Sequence, residues 1–413
     1  MHAALTQLTR PFGTRVAVPR RLSPLTTVGD EVDPTTVGLR TDDVERIWKA
    51  VRAFYRTGLQ PGMSLVVKHR GEVVVDRAIG HRRLGADDLI TTDTPVCLYS
   101  CSKAISAVLV HRLVEEGGLA LDDTVASHLP EFAVHGKEAV TVRDLLTHRA
   151  RLARLPLRKP ETDELLDIDR VVAALCDARL ARSPRQAYHA VTGGYLLDAI
   201  VRRTGRSFPG LLEEYLAGPL DLPTMTYGVP EDRRDAVALS YWTGPTVVPP
   251  LTTVITRVLG VEPHKVPDGL NSPGAMSSVL PSAGIWASAH DAATVFEMLM
   301  RGGELAGTRV LSPGTYAEAV RPAGPLVMDG MLPVPIRFSA GFMLGEPTAS
   351  LYGWNTPEAF GHLGFMNITC WADPARELSV AFLNTGKSAS PEAVVRLAAV
   401  NWAISKAIPR TQA

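Results

Sequence analysis

One serine and one lysine stand three residues apart at the start of an apolar run. Ser100-Cys101-Ser102-Lys103 is the only Ser-x-x-Lys in the chain. On a helix, side chains at this spacing share one face. A lysine that loses hydration beside a serine has a lowered pKa, and its neutral amine can accept the serine proton. The pair therefore predicts nucleophilic catalysis, and the alternative is a helix-capping serine with a solvated lysine.

The residues around this motif predict an extended segment followed by a helix. "TPVCLYS" leads into the motif, and Gly117-Gly118 would end the helix. Apolar residues recur between them at spacings of three and four, namely Ile105, Val108, Leu109 and Leu113. Ser100 is thus expected at a helix N-terminus, where free N–H groups and the helix dipole favour developing negative charge.

Strand signals lie on both sides of a helical middle region. "PGMSLVVKHRGEVVVDRAIGHRR" predicts an antiparallel hairpin around Arg70-Gly71, after a helix capped by Asp42 that runs through Tyr55. Strands are predicted again in "RFSAGFMLG", "FMNITCWADP" and "ELSVAFLNTG", before a final helix from about Pro391 to Ile408. Capping boxes at Thr141–Asp144 and Ser288–Asp291 predict two further helix starts.

This order of elements predicts an α+β fold with an antiparallel β-sheet flanked by helices. Residues 41–150 and 281–413 would form the sheet domain. Residues 151–280 would form an inserted, mostly helical domain, with its clearest helices at Val171–Ala178, Gly194–Arg203 and Phe208–Leu216. The first 40 residues are rich in Thr, Pro and Arg and are expected to form a loosely packed arm.

Composition narrows the classes of partner. The 413 residues carry 43 basic and 43 acidic side chains, so no nucleic-acid partner is expected. No apolar run is long enough to span a bilayer, and the N-terminus does not resemble a signal peptide, so a cytoplasmic protein is expected. The four cysteines are interpreted as buried free thiols, because no second Cys/His pair has metal-ligand spacing. No metal or cofactor is predicted, and the sequence favours no particular oligomeric state.

The same motifs resemble the serine β-lactamase and penicillin-binding-protein superfamily, and most of all its β-lactamase-related, class C-like carboxylesterases. "YSCSK" is similar to the nucleophile motif of that family, and "PGMSLVVKHRGEVVVDRAIG" to its opening hairpin. "VTVRDLLTHRARL", "GGYLLDAIVRRTGRSF", "PSAGIWASAHDAATVF" and "FGHLGF" resemble later segments, in the family's order. The resemblance extends from about Gly62 to Ala398 and implies a β-lactamase/transpeptidase-like fold.

The resemblance also implies roles for three side chains. Ser100 would be the acylated nucleophile and Lys103 its base or proton relay. Tyr188, in "QAYHAVTGGY", matches the first position of the family's Tyr-x-Asn motif. A tyrosine there could share the proton of Ser100 and later activate the deacylating water. The alternative for Tyr188 is a core tyrosine near a helix start.

A second group of residues would bind the substrate. His362-Leu363-Gly364 stands where the family has Lys-Thr-Gly, in the His-x-Gly form of esterase relatives. By that analogy the backbone N–H groups of Ser100 and Phe365 form the oxyanion hole. His362 has an alternative interpretation as a polar residue at the end of a strand.

Three departures from the family pattern bear on the substrate. Ala190 replaces the Asn of Tyr-x-Asn, residues 149–152 are Arg-Ala-Arg-Leu instead of Thr-Ser-Gly-Leu, and His362 replaces a charged lysine. The last two weaken recognition of the carboxylate of a peptide or β-lactam. All three leave ester acyl transfer intact.

The leading hypothesis is therefore a serine hydrolase that cleaves small carboxylic esters through an acyl-serine. No lid-like amphipathic segment lies between Pro156 and Leu280, which favours short and medium acyl chains. The alternatives are an acyltransferase on the same scaffold, a β-lactamase or D-amino-acid peptidase, and a catalytically silent binding protein. The chain has no Gly-x-Ser-x-Gly elbow and no Gly-x-Gly-x-x-Gly after a strand, which argues against α/β-hydrolases and dinucleotide enzymes.

Overall fold

A seven-stranded antiparallel sheet is the main element of the computed structural model, which describes residues 7–10, 13–157, 160–182, 186–246, 251–332 and 334–411. The prediction of an α+β fold built on an antiparallel sheet is confirmed. In spatial order the strands are Met343–Leu344, Phe360–Gly364, Ile368–Asp373, Leu378–Asn384, Gly62–His69, Glu72–Gly80 and Thr26–Val28.

The predicted hairpin forms the centre of the sheet. Gly62–His69 pairs with Glu72–Gly80, and the turn between them uses Arg70 and Gly71 at φ values of 55° and 90°. Leu378–Asn384 closes the other side of Gly62–His69 and is buried along its whole length. A strand covered on both faces needs apolar side chains on both, which is why these segments are runs of apolar residues without strict alternation.

Two terminal helices cover one face of the sheet. Thr41–Tyr55 and Pro391–Ala407 pack against each other, and their apolar side chains share a core with Leu65 and Val67. The first of these helices begins at Thr41, so Asp42 lies inside its first turn and is not the cap that the sequence predicted.

Two other helices lie on the opposite face. Ala289–Met300 packs against the central strands, and Ser102–Glu115 shares with it a second apolar core that includes Val66 and Ala381. The helix that follows the Ser-x-x-Lys motif is therefore buried between the sheet and the rest of the chain. Ten of its fourteen residues are buried, which accounts for its apolar sequence.

The segment before residue 41 is more tightly packed than its composition predicts. Thr26–Val28 forms the edge strand beside Glu72–Gly80, and Leu22, Leu25 and Val37 are buried. From residue 13 onward it is a packed part of the protein, since its apolar side chains complete the core beneath the Thr41–Tyr55 helix. Residues 1–6, 11 and 12 of the predicted arm lie outside the described residues.

The middle of the chain is mostly helical, as predicted. Its helices are Val125–His128, Val142–Leu146, Thr162–Leu166, Ile168–Asp177, Thr192–Arg203, Phe208–Leu212 with a π-helical continuation Glu213–Ala217, Leu251–Leu259, Lys265–Leu270 and Pro273–Met276. Their buried side chains join the core around Ser102–Glu115. The domain boundaries at residues 150 and 281 stay predictions, because one apolar core continues across both positions.

Short elements complete the structure. The remaining helices are Pro313–Val320 and the 3₁₀ turns Ser23–Leu25, Pro34–Val37, Tyr99–Cys101, Pro130–Phe132, Glu231–Arg233 and Pro374–Arg376. The remaining strands are Gln7–Arg10, Gly13–Val16, Val96–Cys97, Thr226–Tyr227, Tyr241–Trp242, Ile285–Ala287, Glu304–Leu305, Thr308–Arg309, Val327–Met328, Pro335–Ile336, Ala349–Ser350, Gly353–Trp354 and Gly386–Lys387. Within the described part of the chain, every helix is too short or too polar to cross a bilayer.

Two further local predictions are wrong. "RFSAGFMLG" is not one strand but a tight turn before Met343–Leu344, because Gly341 has φ +123° and backs onto Ala107. Asp291 does not complete a capping box. Its carboxylate accepts instead from the N–H and hydroxyl of Thr224, while Ser288 alone caps the helix.

Candidate active site

Ser100 lies in a sharp turn between a strand and a helix. Strand Val96–Cys97 runs into the 3₁₀ turn Tyr99–Cys101, which leads directly into the Ser102–Glu115 helix. Tyr99 has φ +48°, a conformation that a bulky residue adopts only when its surroundings impose it. Its ring is 2% exposed. This packing presents Ser100 just before the helix, as the motif predicted.

Lys103 is positioned by three oxygen atoms. Its Nζ lies 3.1 Å from Ser100 Oγ and donates to the carbonyl oxygens of Ala190 at 2.6 Å and Ser282 at 2.8 Å. Burial lowers the pKa of Lys103 from 10.5 to about 7. When the amine is neutral, its two N–H bonds satisfy the two carbonyls, and its lone pair is left for the Ser100 hydroxyl.

Tyr188 lies on the other side of this pair. It is 5% exposed, its ring centroid is 5.1 Å from Lys103 Nζ, and its backbone N–H donates to Asp329 Oδ1 at 3.0 Å. Burial raises the pKa of Tyr188 well above its ordinary value, and an interaction with the Ser100 side chain partly opposes that shift. The tyrosine is therefore a neutral hydroxyl at pH 7, able to relay a proton but not to act as a phenolate base.

His362 is buried on strand Phe360–Gly364, with its ring centroid 6.0 Å from that of Tyr188. Its Nδ1 lies 2.7 Å from the carbonyl oxygen of Leu363, which only accepts, so Nδ1 carries the proton. Its Nε2 is buried without a hydrogen-bond partner. Burial lowers the pKa of His362 to about 3. His362 is thus a neutral hydrogen-bond acceptor facing the site from the sheet.

Gly364 and Phe365 follow at the end of the same strand. A Cβ on Gly364 would lie 2.6 Å from the carbonyl oxygen of Leu98, so only glycine allows this close approach to the turn that carries Ser100. The ring of Phe365 packs against Tyr99 with 5.6 Å between centroids. The structure therefore brings together all six residues singled out in the sequence.

A cavity with a free volume of about 100 Å³ opens beside Ser100, between Phe365 and the helical middle region. Its walls are mainly apolar, and many of them come from residues to which the sequence assigned no role. They are Leu165, Leu166, Val191, Tyr195, Leu259, Val261, Val266, Leu270, Ala275, Leu280 and Ala283. In the sequence such residues are indistinguishable from ordinary core residues, which is why the cavity was not predicted.

Two buried histidines were also missed. The His148 ring lies 4.9 Å from that of Tyr188 and 5.6 Å from that of His189. Both rings face residues of the site, but their local sequence carries no catalytic spacing. The available signals were the "LLTH" segment, quoted above only for its resemblance, and the position of His189 next to Tyr188.

Residues 49–401 match the family model described as Beta-lactamase. The chain belongs to the beta-lactamase family. The resemblance predicted from its motifs is therefore confirmed.

Relatives of this beta-lactamase family member include several esterases. It is 31% identical over 340 residues to "Esterase/beta-lactamase LipL" of Mycobacterium tuberculosis. The matched residues cover 78% of this chain and 76% of that relative. It is 29% identical over 225 residues to "Esterase EstB" of Burkholderia gladioli, covering 50% of this chain and 57% of that one.

Solved structures similar to this family member have the same fold. A penicillin-binding protein homolog from Caulobacter crescentus superposes with a TM-score of 0.77 at 30% identity, over 90% of this chain and 99% of that one. A family VIII carboxylesterase superposes with a TM-score of 0.75 at 27% identity, over 88% and 98%. This beta-lactamase family member thus belongs among serine hydrolases that include esterases.

Proposed function

We propose that the protein hydrolyses small carboxylic esters through an acyl-serine intermediate on Ser100. The observation that carries this proposal is the set of three contacts around Lys103 Nζ. Its Nζ lies 3.1 Å from Ser100 Oγ, and its other near neighbours are two backbone carbonyls that bring no negative charge. A buried lysine without a paired carboxylate is easily deprotonated, which is what a general base needs.

Acylation uses Lys103 as the base. As Ser100 Oγ bonds to the ester carbonyl carbon, its proton passes to Lys103 Nζ. The carbonyl π electrons move onto oxygen and return when the alkoxide leaves. Tyr188, neutral and next to Ser100, relays the proton from Lys103 to the departing alcohol. The products of this half-reaction are the free alcohol and the Ser100 ester.

Deacylation reverses the roles with water in place of the alcohol. Lys103 is neutral again once its proton has left with the alcohol. Through Tyr188 it takes a proton from water as the water oxygen attacks the acyl carbon, and that proton then returns to Ser100 Oγ. The free acid leaves, and the starting state is restored.

The backbone N–H groups of Ser100 and Phe365 are the proposed oxyanion hole. Among the described residues, the backbone hydrogen bonds of turns and loops include none donated by the Ser100 N–H or the Phe365 N–H. The close approach at Gly364 brings the start of the Phe365 segment against the turn that carries Ser100. Preorganised N–H donors of this kind are worth about 3–4 kcal/mol each to the transition state.

The cavity beside Ser100 supports acyl chains of short to medium length. Its walls are mainly apolar, as in most sites that bind small molecules, and its free volume of about 100 Å³ favours a short chain over a long one. The proposed ester is therefore one with an apolar acyl group, whose chain would lie against Val191, Leu270 and Ala275.

Two residues argue for esters over β-lactams. The side chain of Ala190 offers no hydrogen bond, and neutral His362 cannot hold a carboxylate by charge. Ala190 lines the same cavity as Ser100, and the His362 ring lies 6.0 Å from that of Tyr188. The substrate would therefore be bound by its apolar acyl group instead of by a charged one.

Labelling with a fluorophosphonate tests the proposal. Ser100 Oγ should displace fluoride from phosphorus and add one phosphonyl group, measured by intact-protein mass spectrometry. Ser102→Ala is the matched control, because Ser102 is the second serine of the motif and its Oγ accepts from the Ile285 N–H. We expect one adduct in wild type and in Ser102→Ala, and none in Ser100→Ala. An adduct on Ser100→Ala, or none on wild type, would show that Ser100 is not the nucleophile.

A further inference from the structure

Two buried histidines join the loops that position Lys103 and Tyr188. His148 Nδ1 accepts from the backbone N–H of His189 at 3.2 Å, and His189 Nε2 accepts from the backbone N–H of Leu152 at 3.2 Å. The carbonyl oxygen of His148 also accepts from the N–H of Ala187 at 3.0 Å. We call His148 and His189 with these bonds the histidine clasp.

Both rings of the clasp have to be neutral. Each accepts a backbone N–H through a ring nitrogen, which requires a lone pair on His148 Nδ1 and on His189 Nε2. The two rings are stacked at 5.6 Å with 19° between their planes, and both are buried. A proton on either acceptor nitrogen would remove a hydrogen bond and add a positive charge close to Lys103.

The clasp acts on the peptide between two functional groups. His189 follows Tyr188, whose hydroxyl is near Ser100, and precedes Ala190, whose carbonyl oxygen lies 2.6 Å from Lys103 Nζ. Its N–H, bonded to His148, therefore fixes the backbone from which both groups extend. The His148 ring also contacts the Tyr188 ring edge-on at 4.9 Å. A change at either histidine should move the tyrosine and the lysine's carbonyl together.

We propose that His148 and His189 are positioning residues for the catalytic lysine and tyrosine. They hold the Tyr188–Ala190 backbone so that the Ala190 carbonyl oxygen stays 2.6 Å from Lys103 Nζ. Neither histidine contacts Ser100 itself. This inference rests on the proposed function. It goes beyond it by assigning a role to two side chains outside the Ser-Lys-Tyr set.

The two acceptor nitrogens occupy different ring positions, and this allows a crossed test. The Asn side-chain oxygen reproduces Nδ1, whereas that of Gln reaches the place of Nε2. At position 148, His148→Asn should therefore retain activity and His148→Gln should not. At position 189, His189→Gln should retain activity and His189→Asn should not. Each pair keeps polarity and similar size, so a general loss of packing would not produce the crossing.

The experiment measures kcat and KM for p-nitrophenyl butyrate, their pH profiles, the melting temperature and the rate of fluorophosphonate labelling at Ser100. We expect His148→Gln and His189→Asn to lose about 10- to 100-fold in kcat, the size of effect that a misplaced catalytic group causes. KM should change by less than about threefold, because neither histidine lines the substrate cavity. The acid limb of the pH profile should also move, because Lys103 would lose its fixed carbonyl. His148→Asn and His189→Gln should stay within about fivefold of wild type.

Two results would overturn the clasp. One is an equal loss of kcat in the Asn and Gln variants at each position. The other is a loss of kcat that simply follows the fall in melting temperature. If a variant at one position does not fold, the comparison of the Asn and Gln variants at the other position decides. Wild-type labelling separates this inference from the proposed function. If wild-type Ser100 reacts but the crossing is absent, only the clasp fails, whereas an unreactive wild-type Ser100 refutes both.

Discussion

The Nζ of Lys103 lies 3.1 Å from the Oγ of Ser100, in a setting where burial brings the lysine pKa to about 7. The amine of Lys103 is therefore about half-neutral near pH 7. Its hydrogen bonds to two carbonyls keep the amine in place in either protonation state. The first two predictions follow from this contact between Lys103 and Ser100.

The first prediction concerns pH. Because Lys103 must be neutral to accept a proton and its folded pKa is about 7, kcat/KM for p-nitrophenyl butyrate should rise with pH through about 7 and level off above it. Lys387 is the matched control. Burial also lowers its pKa to about 7, but its Nζ bonds to Asn384 and not to Ser100. The acid limb should persist in Lys387→Met. If the acid limb disappears in Lys387→Met, the titrating group is Lys387 and not Lys103.

The second prediction concerns how Lys103 and Tyr188 share work. Lys103→Ala and Tyr188→Phe should each lower kcat by about 10²- to 10⁴-fold, the usual size of a lost proton-transfer group. Because both handle the same proton, the double variant should be little slower than the slower single variant. The measurement is kcat for p-nitrophenyl butyrate in wild type, the two single variants and the double variant. Barrier increases that sum in the double variant would mean that the residues act independently.

The third prediction concerns Gly364. A methyl group there would lie 2.6 Å from the Leu98 carbonyl oxygen and would push the strand away from the turn that carries Ser100. Gly364→Ala should lower kcat by at least about tenfold and lower the melting temperature, a backbone clash being costly in a packed core. Gly314→Ala, in the Pro313–Val320 helix with open space around it, should change neither. Equal behaviour of the two variants would contradict the close approach.

The fourth prediction concerns acyl length. If the acyl chain lies in the cavity beside Ser100, Ala275→Leu should reduce kcat/KM for p-nitrophenyl octanoate by about 10-fold or more while leaving the acetate ester within about twofold, since one or two lost methylene contacts are worth 1–3 kcal/mol. Both esters are measured on the same preparation. A parallel loss for acetate and octanoate would place the acyl group elsewhere.

The fifth prediction concerns β-lactams. Neutral His362 and the methyl group of Ala190 cannot supply the charged and amide contacts that a β-lactam would use, and each missing contact costs about 1.5–3 kcal/mol. We therefore expect kcat/KM for nitrocefin to be at least about 100-fold below that for p-nitrophenyl butyrate. Nitrocefin turnover equal to that of the ester would favour a β-lactamase.

Much of the fold follows from local patterns. The hairpin around Arg70-Gly71, the helix after the Ser-x-x-Lys motif and the antiparallel sheet were all predictable, because turn residues and apolar periodicity act over a few neighbours. The "RFSAGFMLG" strand was not, because the positive φ of Gly341 reflects its contact with Ala107, far away in the chain. The sequence also did not predict that the segment before residue 41 is packed. A few buried apolar side chains are enough to hold such a segment against a core that other elements form.

The separation of Ser100 and Lys103 follows from the chain alone, since three residues at a helix start place two side chains on one face whatever surrounds them. What that pair can do depends on the packing of the whole protein. It brought Tyr188, His362 and the clasp histidines from distant segments to the same turn. It also moved His362 from an expected pKa near 6.5 to about 3, and Lys103 to about 7. Those shifts come from the removal of water by packing, and desolvation depends on the whole fold and not on the neighbours of a residue in the chain.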